Sequence, residues 1–433
     1  MQIETFDPHE PFFSDPSFEA LYSHAGESSP DYDWSEYMQV IEDDQITARV
    51  RVHYAALVTM CDASLGRVLD AMDEHDLWAD TMLIICTDHG FLLGERGWWG
   101  KSVPPWFEET VHTPLFVWNP RRPDGRARHN RLVQTVNLGP TLLEFFGVPL
   151  TTDMHGVPIG AAIRGDVPTR QTALFGAFGG HVSITDGRYV YMRASMNESN
   201  EPLVEHTLMP THMRGFFTAD ELAGAELHEP LPFTKGMPVL TVAGRTATSP
   251  FAFGTRLYDL DTDPQQETPL VDHEFELRLA TLLRDGLHTA QAPTNQFERL
   301  GMPQDGALDD RHLLCAAQHE AAVSSSRVAP SIGVRPGLVR DRRGSSRVAP
   351  SIDEFPALRL SVRTLVGDLM ARPDAAEILR RHCTPFVTGP FAPICESMSL
   401  YRAAALMIGV LPWATLALVA RELAALPPDP HIA

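Results

Sequence analysis

Asp88 and His89 stand side by side at the end of a continuous apolar run, Thr81 to Thr87, and are followed by Gly90. A carboxylate and an imidazole together can hold a divalent cation, since oxygen and nitrogen donors both suit such ions. The place fits the chemistry, because ligands of open α/β sheets collect at the carboxyl ends of strands. The same triplet also serves as a polar turn capped by an aspartate, so Asp-His-Gly alone leaves both uses open. Cysteine offers no rival centre. The five cysteines are scattered and show no CxxC spacing. That pattern argues against a disulfide framework or a zinc knuckle and makes a reducing compartment the default.

The surroundings of the triplet narrow the choice. Tyr54, Asp62 and Gly66 precede it; Leu93-Gly94-Glu95, Gly100-Lys101 and Thr113-Pro114-Leu115 follow. Phe6-Asp7-Pro8-His9 opens the chain, and Leu257-Tyr258-Asp259-Leu260-Asp261-Thr262-Asp263-Pro264 lies further on. In this order the string resembles the sulfatases, metal-dependent ester hydrolases of the alkaline phosphatase superfamily, from about residue 5 to about residue 303. The resemblance implies that Asp88 and His89 are the second pair of metal ligands. It implies that Lys101 contacts the sulfate oxygens, and that His9 stands beside the ester and its leaving oxygen. It also implies a divalent metal cofactor, calcium first and manganese or magnesium next, and a small-molecule or saccharide sulfate ester as substrate. These roles are physically coherent. A compact ammonium neutralises charge on a tetrahedral anion, a metal polarises the same oxygens, and an imidazole can give a proton to the leaving oxygen.

One part of the family's pattern is missing. Its nucleophile is a formylglycine, made from the first residue of a Cys/Ser-x-Pro-x-Arg motif in the N-terminal half, near two further acidic ligands. Among the cysteines here only Cys383-Thr384-Pro385-Phe386-Val387 comes near, and Val387 stands where Arg is required. Asp88 and His89 alone leave a cation short, because calcium takes about six to eight oxygen ligands. The expectation is a truncated sulfuric ester hydrolase, inactive alone, with apolar sheet edges uncovered. Either the chain is a truncated gene product, or another chain supplies the missing half. Two other readings stay open. A phosphonate monoester or phosphodiester hydrolase of the same superfamily is one, since imidazole suits Mn²⁺ better than Ca²⁺. The other is a non-catalytic remnant that serves in binding.

The elements that must position these residues are of the α/β kind. Tyr54, Leu57, Val58, Cys61, Leu65, Val68, Leu69 and Met72 recur at helical spacing and predict a helix over 48–76. The run 81–87 then reads as a buried parallel strand, central to its sheet. Leu115–Trp118 is a second short strand, and Thr135–Phe146 a helix closed by Gly147. Val182–Thr185 and Tyr189–Arg193 flank Asp186-Gly187, which predicts a hairpin; a strand at Leu257–Leu260 and a helix over 274–287 follow. The predicted fold is a partial alkaline-phosphatase-like sandwich (a mixed sheet with flanking helices), a small antiparallel-sheet subdomain and an α-helical C-terminal module. The boundaries are 1–160 for the catalytic part, 161–303 for the subdomain, 304–356 for a flexible linker and 357–428 for the helical module. The linker holds the octamer Ser-Ser-Arg-Val-Ala-Pro-Ser-Ile at 325–332 and again at 345–352. The module more weakly resembles a helical unit appended to bacterial hydrolases.

Bulk composition excludes some partners. With 56 acidic against 35 basic residues the formal charge is −21, which argues against nucleic acid. Ala403–Ala420 carries no charge, but Pro412 divides it and a helical stripe continues past Arg421 and Glu422. It predicts two packed helices and no membrane span. The N-terminus has neither a basic nor an apolar leader region, so the expected location is cytoplasmic.

Overall fold

Asp43 accepts hydrogen bonds from the backbone N–H groups of Gln45 (2.9 Å) and Ile46 (2.8 Å). It thereby caps helix α1, Asp44–Glu74. The structure, a computed structural model, describes residues 1–22, 37, 39–40, 42–101, 105–122, 128–160, 170–209, 211–212, 215–244, 246, 249–325, 338–340, 346–348, 366–388, 392, 400, 415, 418–419, 422–423 and 426. The chain divides into two compact units. The first holds Met1–Glu36, Val40–Arg67 and Ala329–Ala433; the second holds Tyr37–Gln39 and Val68–Val328.

In the first unit α1 buries Val50, His53, Ala56 and Leu57, a face with helical spacing. Phe12 is buried edge-on against Tyr54, ring centroids 5.1 Å apart. Glu19 ties this helix from outside through Arg49 and His53, each at 3.3 Å. Of the apolar stripe read from the sequence, Leu57 and Met72 are buried and Val58 is exposed. Helices Val366–Ala371 and Pro373–His382 give the C-terminal part a core of Val366, Leu369, Ala375, Ala376, Ile378 and Leu379. Pro373 opens its helix, where the missing N–H costs nothing.

The second unit carries the run that ends on Asp88. Its strand is β1, Leu83–Cys86. A tight hairpin follows, β2 (Leu92–Leu93) with β3 (Trp99–Gly100), then the single-turn helix α2 (Glu108–Val111) and strand β4, Leu115–Trp118. Contrary to the expectation of a central parallel strand, β1 pairs antiparallel with β4, Leu83 opposite Trp118 and Cys86 opposite Leu115. Among the described residues no other strand joins them. An apolar run encodes burial but no direction. Direction is set by the connection, and a hairpin with one helical turn brings the chain back at the far end. Both strands are half-buried, with Cys86 and Phe116 exposed. Helix α3, Leu138–Phe146, ends on Gly147 in the left-handed conformation (φ 69°), as its sequence predicts.

The main sheet is antiparallel and four-stranded, in the order β11-β7-β6-β5. Its strands are β5 (Ala173–Gly176), β6 (Val182–Thr185), β7 (Tyr189–Arg193) and β11 (Arg256–Asp259). The predicted hairpin is present: Asp186 Oδ1 accepts from the N–H groups of Arg188 and Tyr189, and Gly187 sits at φ 96°. Helix α4, His273–Thr289, is capped by Asp272 and lays Leu279, Leu283 and Leu287 on Ile184, Tyr191 and Leu257. A smaller sheet has the order β9-β10-β8: β8 is Val204–Thr207, β9 Glu226–His228 and β10 Val239–Ala243.

Residues 304–325, expected to belong to a linker, have packed structure. Residues 304–325 pack into the second unit through Leu308, Leu314, Cys315 and Ala322, and His319–Ser324 form helix α5. The buried Glu276 carboxylate holds this stretch by accepting from the N–H groups of Leu314 (2.7 Å) and Cys315 (3.0 Å). Four apolar anchors and one buried acceptor outweigh its polar text. Leu338–Arg340 and Ser346–Val348 form a short antiparallel ladder; most of the two octamers lies outside the described residues. So does most of Ala403–Ala420, of which Thr415, Leu418 and Val419 are helical. No described helix is long and apolar enough to cross a membrane.

Candidate functional site

β1 delivers Thr87, Asp88 and His89 in succession. Asp88 Oδ1 accepts from the His89 N–H at 2.8 Å, and Oδ2 lies 3.3 Å from His89 Nε2. His89 Nδ1 lies 3.1 Å from the Gly90 carbonyl oxygen. Donation from Nδ1 to that carbonyl leaves the Nε2 lone pair beside the carboxylate, the arrangement metal-binding imidazoles use. Trp106 flanks the imidazole at 6.4 Å between ring centroids. The Asp88 side chain is 81% exposed, that of His89 27%. Partial burial works against ionisation of Asp88. The His89 N–H, the His89 ring and the Thr87 hydroxyl outweigh it and hold the carboxyl below its ordinary value.

Gly90 explains why the pair stays put. Its N–H donates to the Thr110 carbonyl at 2.8 Å, and a Cβ at this position would meet the Glu109 carbonyl oxygen at 1.9 Å. Only glycine lets the backbone approach α2 this closely. α2 is anchored in turn by Arg96, which pairs with Glu109, donates to the Gln265 carbonyl and covers the Phe107 ring at 4.1 Å. Arg96 itself adopts φ 53° and is buried.

Lys101 reaches this region by the hairpin. Leu92 pairs with Gly100, so Lys101 is level with Phe91, two residues beyond His89. Tyr37 is the shared support: its ring lies 5.8 Å from that of Phe91 and 6.0 Å from Lys101 Nζ. A Cβ on Gly100, at φ 101°, would meet the same ring at 2.6 Å. Sequence reasoning missed Tyr37, Thr110 and Arg96. Tyr37 and Thr110 act across the fold, and the left-handed backbone of Arg96 has no local signature.

His9 belongs to the first unit. Its Nδ1 lies 2.7 Å from the Glu10 carbonyl oxygen and 3.4 Å from the buried Glu10 carboxylate, and its ring rests on Phe6 at 4.5 Å. Burial pushes the neighbouring Asp7 carboxyl up, and His9 opposes that rise. Cys383 is buried, with its thiol pushed up to about 12 by burial, so the thiolate a nucleophile needs is absent at neutral pH. Among the described residues no group of three or more His, Cys, Asp or Glu could hold a metal ion. Asp88 and His89 supply two donors from one side, fewer than a calcium ion's about six to eight. The donor types fit such an ion, but the pair does not form its cage.

The sequence model of the family described as Sulfatase matches residues 1–148. That segment resembles the sulfatase family. His9, Asp88, His89 and Lys101 all lie in this matched segment. An N-acetylglucosamine-6-O-sulfatase of Bacteroides thetaiotaomicron is 28% identical over 116 residues, 27% of this chain and 20% of that protein. A choline-sulfatase of Rhizobium meliloti is 27% identical over 171 residues, 37% of this chain and 32% of that protein. A sulfatase of Formosa agariphila is 36% identical over 95 residues, 22% and 18% of the two chains. The match thus spans between 18% and 32% of the length of these relatives. A phosphonate monoester hydrolase structure from Agrobacterium radiobacter shares 20% identity at a TM-score of 0.38, over 57% of this chain and 42% of that one. That likeness is too slight to carry an argument.

Proposed function

We propose that the chain takes part in the hydrolysis of sulfuric esters, with Asp88 and His89 as ligands of a divalent metal, Lys101 as the sulfate-binding cation and His9 as the proton donor to the leaving oxygen. The observation that supports this reading is the clamp of Gly90 on α2. It fixes a carboxylate oxygen and an imidazole nitrogen 3.3 Å apart at the end of β1, inside the segment that matches the sulfatase model. A divalent ion, calcium first and manganese or magnesium next, would polarise the sulfate oxygens when bound. The ammonium of Lys101 then neutralises charge on the sulfate. The His9 imidazole gives its proton to the departing alkoxide or phenoxide. No cysteine or serine of this sequence opens a Cys/Ser-x-Pro-x-Arg motif, so the nucleophile is assigned to residues outside it, in a longer gene product or on a second polypeptide. The substrate class is a small-molecule or saccharide sulfate ester.

The test is hydrolysis of nitrocatechol sulfate by the chain mixed with such a polypeptide after its cysteine is converted to formylglycine. The mixture should turn over, whereas the chain alone should stay at background. Asp88→Ala should abolish the activity together with bound metal. Lys101→Ala should reduce it by about 10²-fold or more while metal content holds. Equal turnover by both variants would overturn the site. Preference for a phenyl phosphonate over the sulfate, with Mn²⁺, would favour phosphonate monoester hydrolysis instead.

A further inference from the structure

In the sheet β9-β10-β8, Thr241 pairs with His206 on one side and with Glu226 on the other, while His228 pairs with Val239. Directly paired residues share a face, as do residues two apart on a strand. His206, Glu226, Thr241 and His228 therefore stand on one face. There the two imidazoles meet, with ring centroids 5.2 Å apart and planes at 88°. Two imidazoles bound to one tetrahedral ion through bonds of about 2.0–2.1 Å have centroids about 5 Å apart.

Each ring has a nitrogen available. His228 Nδ1 lies 2.7 Å from the Glu229 carbonyl oxygen. Donation there leaves the Nε2 lone pair unprotonated and able to bind a metal, as in metal-bound histidines. His206 has no hydrogen-bond partner among the described residues. Between them the buried Thr241 Oγ1 also lacks a hydrogen-bond partner among the described residues, which leaves a polar group for a bound water.

We propose that His206 and His228 form a two-histidine site for a borderline transition-metal ion, Zn²⁺ or Cu²⁺ rather than Ca²⁺ or Mg²⁺. Imidazole selects that end of the series. The ligands come from β8 and β9, which each pair with β10 and not with each other. A shared ion would clip the two outer strands across the middle one. Among the described residues no third His, Cys, Asp or Glu closes the cage, so water completes the coordination and the ion exchanges. This site shares no residue with the Asp88 and His89 pair and does not depend on the sulfatase reading.

The probe is Zn²⁺ alone, added to the full chain. Diethyl pyrocarbonate labelling, read by peptide mass spectrometry, should show Zn²⁺ protecting both His206 and His228, with Mg²⁺ protecting neither. His206→Phe keeps a ring in place but removes the ligand. It should raise the Zn²⁺ concentration needed to protect His228 by at least about tenfold, the loss that even an outer partner of a metal ligand causes. His228→Phe should do the same for His206, and Asp88→Ala should do neither. Where a Phe variant fails to fold, the corresponding Asn variant is used. Equal labelling of both histidines with and without Zn²⁺ would overturn the site. Protection of His228 that survives loss of the His206 ligand would do so too.

Discussion

His181 is buried between β6 and the Gly254 turn, its Nε2 2.9 Å from the Gly254 carbonyl oxygen. Burial, aided by the charges of Arg256 and Arg299, pushes it down from 6.5 to about 3. The folded chain thus holds His181 neutral where the unfolded chain takes up a proton. Its contribution to stability is fully present above about pH 6.5 and is lost as pH falls from there toward about 3. His181→Gln keeps an N–H for the Gly254 carbonyl and removes the titration. Urea unfolding across that window should give a flatter dependence on pH for the variant than for the parent. Identical slopes would mean that His181 is not the group being titrated. Single residues differ in how far the sequence betrays them. The position of Asp88 and His89 just beyond β1 was legible because they close a continuous apolar run, which is a local pattern. His181, Tyr37 and Arg96 were not, since each matters through neighbours distant in the chain.

At the scale of elements the contact between Gly90 and α2 is the one to break. Alanine at position 90 would drive its Cβ to 1.9 Å from the Glu109 carbonyl oxygen. The backbone of α2 would have to retreat, and Glu109 with it, loosening the pair with buried Arg96. Gly90→Ala should cost about 1–3 kcal/mol, the usual penalty for overpacking, read as a lower urea midpoint at unchanged slope. A midpoint equal to the parent's would show that α2 moves freely. Elements were legible where their chemistry is local. The hairpin at Asp186-Gly187 carries its own turn residues, and α4 carries its cap at Asp272 and a regular apolar stripe. The antiparallel direction of β1 was not legible, because its residues would serve a parallel strand equally well. Nor was the packing of 304–325, which rests on sparse anchors and on a carboxylate donated by α4.

For the whole molecule, the excess of 56 acidic over 35 basic residues is the dominant long-range term. Raising NaCl from about 10 mM to about 150 mM shortens the screening length from about 30 Å to about 8 Å. Self-repulsion then weakens, and the melting temperature should rise by a few degrees in differential scanning calorimetry. A fall would show that attractive ion pairs, such as Arg188 with Asp259 and Arg96 with Glu109, outweigh the net charge. The same excess charge acts between molecules as well as within one. β1 and β4 present Leu83, Ile84, Ile85 and Val117 only half covered, with Phe116 63% exposed. Such strands can template a neighbour's backbone, and the net negative charge opposes that association. Ionic strength therefore pulls both ways: the salt that steadies one chain also invites aggregation of many. A lysine in place of Phe116 would act as a gatekeeper there, uncoupling the two effects.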